Sequence, residues 1–225
     1  MNIKVYFEKT EKTIPFDNQH AMNGFIHRVL GESNKYHDGF SGYCISSVMG
    51  GKMSDDKSGL VFDCEPYIIV SSPDSGFVND FLSGLVNAFS SRSADFYGLY
   101  PSRFETYENN VNKTYDVIKT NSPILLKNRE GRKITFKDDG WLERLKEQCV
   151  KKLEHRNIKD DSFDIVIGNF GTLKTKSIVV NGVFNPCTNA ILTVYGRKET
   201  RDTLYSLGLG NSTGSGFGSV SVFRK

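Results

Sequence analysis

The sequence predicts an α+β protein made of two tandem ferredoxin-like units. Two observations lead to this fold class. Hydrophobic periodicity over 1–115 gives the order strand, helix, strand, strand, helix, strand, and a similar order recurs over 116–225. A polar stretch at 108–114 separates the two series. We therefore predict an N-terminal unit at 1–115 and a C-terminal unit at 116–225.

In the first unit, apolar and polar residues alternate over 2–7, which predicts a half-buried strand. Apolar residues then recur at helical spacing over 21–30 and again over 74–90, which predicts two amphipathic helices. Asp17 or Asn18 can cap the first helix at its N-terminus, and Gly31 can end it. The remaining strands of this unit are predicted at 42–48, 60–70 and 95–107.

In the second unit, a strand is predicted at 117–126, where Pro123 favours an edge or a bulge. A polar hairpin at 128–133 leads to a helix with one apolar stripe over 141–154. Strands are predicted at 163–167, 178–184 and 190–195. A short helix at 197–207 and a last strand at 217–223 follow, and they flank a C-terminal glycine-rich loop.

The glycine-rich loop carries five glycines over eleven positions: Gly208, Gly210, Gly214, Gly216 and Gly218. Glycine permits a close approach of backbone or phosphate, and consecutive N–H groups can form an anion-binding nest. A flexible linker or a turn is the alternative, although the helix before the loop and the strand after it hold both of its ends. A dinucleotide or triphosphate site is disfavoured, because the loop does not open a helix and lacks a Gly-Lys-Ser/Thr end.

Composition bounds the remaining function classes. The sequence has no run of about 20 apolar residues, the length a membrane span needs. Its N-terminus does not resemble a signal peptide. The four cysteines are dispersed, which argues against structural zinc and a disulfide framework and favours reduced thiols in the cytoplasm. We expect no membrane partner.

Charge is distributed unevenly along the chain. Residues 1–115 carry 10 Lys+Arg against 14 Asp+Glu, a net charge of −4, and residues 116–225 carry 19 against 12, a net charge of +7. This asymmetry suggests that the second unit meets a polyanion. Two solvated surfaces of opposite sign are the alternative interpretation.

The reactive groups that the sequence offers are histidines. His27 lies on the polar face of the first helix, and His37 lies in the loop that follows it. Two imidazoles can act as general base and general acid without a metal, and RNA supplies its own nucleophile in the 2′-OH. Ordinary surface histidines are the alternative for both, and we expect this simpler role for His20 and His155.

Several stretches together resemble one protein family. The terminal glycine-rich loop is similar to that of CRISPR-associated RAMP proteins, and the chain more specifically resembles their repeat-RNA processing endoribonuclease. The segments 15–30 and 36–40 (Tyr-His-Asp-Gly-Phe) are similar to that family's first helix and histidine loop, the latter one residue shorter. Ser122-Pro123-Ile124 resembles the start of its second domain.

The resemblance implies one metal-independent cut per CRISPR repeat in the precursor RNA, with a 2′,3′-cyclic phosphate as product and no cofactor. It places His37 on the catalytic histidine of the family and His27 where several members carry tyrosine. Some members add a lysine that stabilises the transition state. Lys52 is our candidate for that role, although its spacing from His37 is longer than in those members, and Lys35 is the alternative.

The resemblance also implies CRISPR repeat RNA as partner, with other CRISPR effector proteins as further partners. Phosphate contacts set affinity and register rather than sequence preference. Besides the five glycines, the predicted RNA-binding residues are Arg28, Lys174, Lys176, Arg197, Lys198 and Arg201. Helical spacing predicts that Arg197 and Arg201 share a face beside the loop. Two other functions stay open: a non-catalytic RAMP subunit that holds processed RNA, and a protein that binds free nucleotide.

Overall fold

A computed structural model describes residues 1–31, 34–36 and 41–223 of the chain. Four α-helices lie in these ranges: α1 (Gln19–Leu30), α2 (Ser75–Ser91), α3 (Trp141–Glu154) and α4 (Lys198–Leu207). The strands are β1 (Asn2–Phe7), β2 (Ile14–Pro15), β3 (Cys44–Ile45), β4 (Lys52–Met53), β5 (Gly59–Val61), β6 (Tyr67–Ser71), β7 (Pro101–Tyr107), β8 (Tyr115–Thr120), β9 (Leu126–Lys127), β10 (Lys133–Ile134), β11 (Asp164–Val166), β12 (Lys174–Val180), β13 (Val183–Asn189), β14 (Ile191–Tyr195) and β15 (Val220–Val222).

Two four-stranded antiparallel sheets have the same strand order. The first runs β3-β6-β1-β7 and the second β11-β14-β8-β15. In each sheet the first strand of the unit is central, and the last strand of the unit lies beside it at one edge. Each half also contains two helices, so each half has the ferredoxin-like topology. The predicted fold class is confirmed.

Each half has its own hydrophobic core. The first core draws its buried residues from 3–99 and includes helices α1 and α2, and the second draws them from 118–220 and includes α3 and α4. Gly84 of α2 lets the first two helices approach closely, because a Cβ at this position would overlap the carbonyl oxygen of Val29 on α1. The boundary at 115/116 stays a prediction.

The predicted helices agree with the observed ones within one or two residues at most ends. The N-terminus of α2 is explained by Asp74, whose Oδ1 accepts hydrogen bonds from the N–H groups of Gly76 (2.8 Å) and Phe77 (3.2 Å). Asn18 precedes α1, but its side chain makes no capping hydrogen bond there. It donates to the carbonyl of Pro15 instead (2.8 Å).

The strands differ more from the prediction. The predicted strand 178–184 is interrupted, because it covers the end of β12, a two-residue turn and the start of β13. Asn181 and Gly182 both have positive φ (50° and 75°), which is the signature of an Asn-Gly hairpin turn. The predicted strand 60–70 divides into β5 and β6. The first of these joins a separate three-stranded sheet, β2-β5-β4.

Within the described ranges, no helix is long and apolar enough to cross a membrane. In the same ranges, no three His, Cys, Asp or Glu side chains form a group that could hold a metal ion.

Candidate functional site

The glycine-rich loop is buried where the two halves meet. All five of its glycines are inaccessible to solvent, and only Ser212 among residues 208–218 is exposed. A Cβ at Gly214 would approach Ser41 Oγ to 2.7 Å, and one at Gly216 would approach Met22 Cε to 2.6 Å. Residues 208–218 therefore pack directly on β3, α1 and the segment before β3; we call this junction the seam.

This burial corrects one prediction. Gly208, Gly210, Gly214, Gly216 and Gly218 are all buried and form no open platform for RNA phosphates. Of the five, only Gly210 is among the described residues that line a cavity beside the loop. A Cβ at Gly210 would come within 2.5 Å of the carbonyl oxygen of Leu125, and one at Gly218 would overlap that of Leu209. The absence of side chains here serves close packing between protein segments.

A buried lysine fixes the start of the loop. Lys152 on α3 is 7% exposed, and its Nζ donates to the carbonyls of Leu207 (3.2 Å) and Gly208 (2.7 Å). These carbonyls end α4, where the helix dipole favours a positive charge. Burial lowers the pKa of Lys152 to about 8 and raises the pKa values of the neighbouring Cys44 and Cys149 thiols to about 12.

His27 lies on the last turn of α1 and is half-buried. Its Nδ1 is 3.3 Å from Nδ2 of Asn34, which also donates to the carbonyl of Gly31 (2.7 Å). An amide nitrogen is a donor, so this contact is a hydrogen bond when Nδ1 is unprotonated and the proton of the neutral ring is on Nε2. The contact orients the His27 ring at the end of the helix.

His37 lies outside the described residues. Tyr36, the residue before it, donates from its hydroxyl to Asp80 Oδ2 (2.7 Å) and packs edge-on against Phe77, with ring centroids 5.0 Å apart. Burial, followed by this hydrogen bond, raises the pKa of the Tyr36 hydroxyl. Lys35 is 3.5 Å from Asp80, so this alternative to Lys52 is held on α2 by an exposed ion pair.

Lys52 lies in the three-stranded sheet, away from the seam. Its Nζ is 2.9 Å from Asp63 Oδ2, both side chains are exposed, and this hydrogen bond raises the pKa of Lys52. A cavity lies beside the glycine-rich loop at the seam, and Lys52 is not among the described residues that line it. Its catalytic role stays a prediction, and none of its described contacts links it to His27.

The predicted cationic cluster divides into separate groups. Lys174 and Lys176 line a groove of about 1140 Å³ that runs between the two halves, together with Lys119. Phe16 and Met53 of the first half line the same groove and are 40% and 56% exposed. We call it the interdomain groove. Lysines beside an exposed aromatic ring suit a single-stranded nucleic acid, whose phosphates and bases they contact respectively.

Three other predicted cations make protein contacts outside this groove. Arg28 donates to the carbonyl of Asp95 (2.6 Å), and Arg197 lies 3.6 Å from Asp160 while donating to the Lys159 carbonyl. Lys198 is exposed on the first turn of α4. None of the three is among the described residues that line the interdomain groove.

The burial of Arg201 contradicts the prediction that this residue binds RNA. Its side chain is completely buried, so it does not share a solvent face with Arg197. It forms an ion pair with the equally buried Asp116 of β8 and donates to the carbonyls of Gly196 (2.9 Å) and Asn112 (2.6 Å). Arg201 therefore anchors α4 to the second sheet. From the sequence alone, its i+4 spacing from Arg197 suggests a shared exposed face instead.

Sequence reasoning missed three residues that the structure brings to cavities. Lys119 on β8 reaches the interdomain groove, and Lys151 and His155 at the end of α3 reach the cavity beside the glycine-rich loop. The spacing of Lys151 and His155, four residues apart on a helix, was the available signal. The sequence predicts an ordinary surface role for His155, whereas the structure places it in the lining of this cavity.

Comparison with known proteins agrees with this architecture. Residues 106–222 match the family model described as CRISPR associated protein Cas6, C-terminal. The CRISPR-associated endoribonuclease Cas6 1 of Methanocaldococcus jannaschii is 23% identical over 226 residues, which cover 92% of this chain and 86% of that relative.

Solved structures share the fold over its full length. A CRISPR associated protein Cas6 has a TM-score of 0.80 at 20% identity, covering 100% of this chain and 99% of that one. The product of a Cas6-related gene from Pyrococcus furiosus has a TM-score of 0.82 at 16% identity, with the same coverage. Because the family model matches more than half of its residues, this chain belongs to the Cas6 family of CRISPR-associated proteins.

Proposed function

We propose that this protein is an endoribonuclease that cleaves CRISPR repeat RNA in the precursor transcript and releases guide RNAs. The observation that carries the proposal is the family match over residues 106–222. The name of the Methanocaldococcus jannaschii relative, a CRISPR-associated endoribonuclease, supports it. We further propose that the reaction takes place in the cytoplasm.

The proposed reaction is an internal transfer within the RNA. The 2′-oxygen attacks the adjacent phosphorus, a general base takes the 2′-OH proton, and a general acid gives a proton to the departing 5′-oxygen. The products are a 2′,3′-cyclic phosphate and a 5′-hydroxyl. This chemistry balances without a metal, oxidant or cofactor.

His37 and His27 are the proposed acid–base pair. The contact of His27 Nδ1 with Asn34 supports a role for this ring, because it holds the imidazole in one orientation at the end of α1. Lys52 remains the candidate for charge stabilisation, and it would have to leave Asp63 to take part. Losing that exposed pair costs little, because solvent screens it.

The interdomain groove supports RNA as the substrate. Lys119, Lys174 and Lys176 give it positive charge, and Phe16 offers a ring on which a base can stack. Arg28 and Lys198 are proposed as outlying phosphate contacts, and Arg197 as a third. We propose that single-stranded repeat RNA follows this groove.

The test is cleavage of a labelled repeat RNA in EDTA, resolved on a denaturing gel. We expect His37→Ala and His27→Ala each to slow single-turnover cleavage by about 10²–10⁴-fold, the range for loss of a general acid or base. His20→Ala is the matched control, since His20 lies seven residues before His27 on the same helix and is exposed.

Two results would contradict the proposal. If His37→Ala cuts as fast as the parent protein, the catalytic assignment is wrong. If the parent protein binds repeat RNA tightly but cuts it under no condition, the protein is a non-catalytic RAMP subunit. A substrate with a 2′-deoxy residue at the cleavage site should remain intact in every case, because it lacks the nucleophile.

A further inference from the structure

A second cavity lies against the glycine-rich loop, at the seam between the two halves. Its volume is about 390 Å³. Ser41 lines it from the first half, the end of α3 from the second, and residues 210–213 and 215 of the loop complete the described wall. The size is at the lower end for ligand sites and suits a group such as one nucleotide.

The described lining has one sign of charge. Lys151 and Lys152 of α3 line the cavity, as does His155, the residue after this helix. The hydroxyls of Ser41, Ser212 and Ser215 lie among them, whereas that of Thr213 donates to the Tyr43 carbonyl. No aspartate or glutamate belongs to this described lining. By contrast, basic residues elsewhere on the helix face acids: Arg144 contacts Glu147 and Lys146 contacts Asp164. A cavity with cations, hydroxyl donors and no carboxylate favours an anion.

Lys151 and His155 form the accessible part of this cationic wall. Both are exposed, and their i, i+4 spacing places them on one face of α3. Lys151 makes no ion pair with any described residue. Lys152 is turned inward on the two carbonyls at the end of α4, so it supports the wall and adds positive charge behind it.

The wall is built before any ligand arrives. Thr213 Oγ1 donates to the carbonyl of Tyr43 (3.2 Å), and the side chain of Asn211 accepts from Lys127 N–H (2.9 Å). The N–H of Asn211 in turn donates to the carbonyl of Leu125 (2.8 Å). These hydrogen bonds hold the loop side of the cavity in place, which reduces the ordering cost of binding an anion there.

We propose that this cavity binds one phosphate group of RNA, with Lys151 and His155 as the side chains that contact it. The inference rests on the proposed function for its choice of RNA as the source of the phosphate. Ser41, which lines the cavity, follows the proposed catalytic His37 by four positions in the sequence. The phosphate is either an internal phosphodiester or the terminal phosphate of a cleaved strand, which share the same chemistry.

The first experiment measures binding of inorganic phosphate, which does not depend on CRISPR RNA. Phosphate is titrated into the full-length protein, and the imidazole C–H resonance of His155 is followed by NMR, assigned by its loss in His155→Ala. We expect a saturable shift in the parent protein that is abolished in Lys151→Glu. A linear, non-saturating change that is the same in Lys151→Glu would overturn the proposal.

The second experiment measures RNA affinity by fluorescence anisotropy at several salt concentrations. The RNA carries a 2′-deoxy residue at the cleavage site, and parallel strands end in a 3′-phosphate or a 3′-hydroxyl. We expect Lys151→Ala/His155→Ala to weaken binding by about 10- to 100-fold, the value of one to two lost charge-assisted hydrogen bonds, and to reduce the salt slope by about one. Lys137→Ala, which removes an exposed lysine in the loop before α3, should bind as the parent does.

The outcomes separate this inference from the proposed function. A loss confined to strands with a 3′-phosphate identifies the terminal phosphate as the ligand, and a loss with both strands identifies an internal phosphodiester. If the parent protein cleaves repeat RNA while the double variant keeps full affinity for both strands, the cavity proposal is wrong. If phosphate still saturates the His155 signal in a protein that cuts no RNA, the proposed function is wrong and the cavity proposal stands.

Discussion

Replacing Arg201 with methionine tests whether this residue anchors the second sheet or contacts RNA. The substitution leaves the buried Asp116 carboxylate without its cation and leaves the carbonyls of Gly196 and Asn112 without the guanidinium donors. Asp116 keeps hydrogen bonds from the N–H of Asn112 (2.9 Å), from its side chain (2.8 Å) and from Tyr205 (3.1 Å). The remaining cost is that of a buried charge without an ion-pair partner.

We expect Arg201→Met to lower the free energy of unfolding by about 3–5 kcal/mol, the usual cost of breaking a buried ion pair from one side. For a protein of this length the midpoint of thermal unfolding should fall by roughly 6–20 °C. Urea unfolding followed by circular dichroism gives the free energy. Lys198→Met on the same helix is the matched control and should change it by less than about 0.5 kcal/mol, because Lys198 is exposed.

Removing both partners should be milder than removing one. In Arg201→Met/Asp116→Leu no buried charge remains, so we expect part of the lost stability to return. A loss below about 1 kcal/mol for Arg201→Met, combined with weaker RNA binding by the folded variant, would refute the structural role. It would restore the RNA-binding prediction that the burial of Arg201 contradicts.

Three further substitutions have separate readouts. Gly84→Ala puts a methyl group onto the Val29 carbonyl and should cost about 3 kcal/mol in urea unfolding, the upper end for overpacking, whereas Gly42→Ala meets no atom within 4 Å and should leave stability unchanged. Lys176→Ala should reduce the salt slope of RNA binding by about one without changing sequence preference, and an unchanged slope would remove it from the groove contacts. The lowered pKa of Lys152 means that the unfolded chain binds more protons than the folded one between about pH 8 and 10.5, so this group makes stability rise with pH across that window. The raised pKa values of the buried Cys44 and Cys149 thiols make stability fall with pH, so the Lys152 effect is isolated by comparing two proteins. The free energy of unfolding of the parent protein and of Lys152→Met is measured at pH 7.5 and 9.5. Between these pH values the difference, parent minus variant, should rise by about 1–2 kcal/mol.

The sequence predicts the architecture well, because amphipathic helices and alternating strands are local signals. The apolar stripe of α3 and the capping residue Asp74 of α2 are examples. The hairpin between β12 and β13 was missed because its apolar run continues through Asn181-Gly182, where the turn chemistry outweighs the run.

The candidate site is less predictable because it depends on which residues meet across the seam. Arg201 and Arg197 carry the same charge four positions apart, and only the position of Asp116 on β8 decides that one is buried. His155 and Ser41 are far apart in the sequence, and no local pattern indicates that they line one cavity. Residue type alone indicates that a histidine can act as an acid or a base, but the residues that surround it are known only once the fold is known.

The seam has a mechanical consequence for the interdomain groove. The same two halves that line the groove are joined at the seam, with no Cβ between them at Gly208, Gly214 and Gly216. A side chain at any of these three positions would meet an atom of the other half, so the two halves lie this close only because the loop carries glycine there. The separation of the groove walls therefore depends on three residues that are not among the described residues lining the groove.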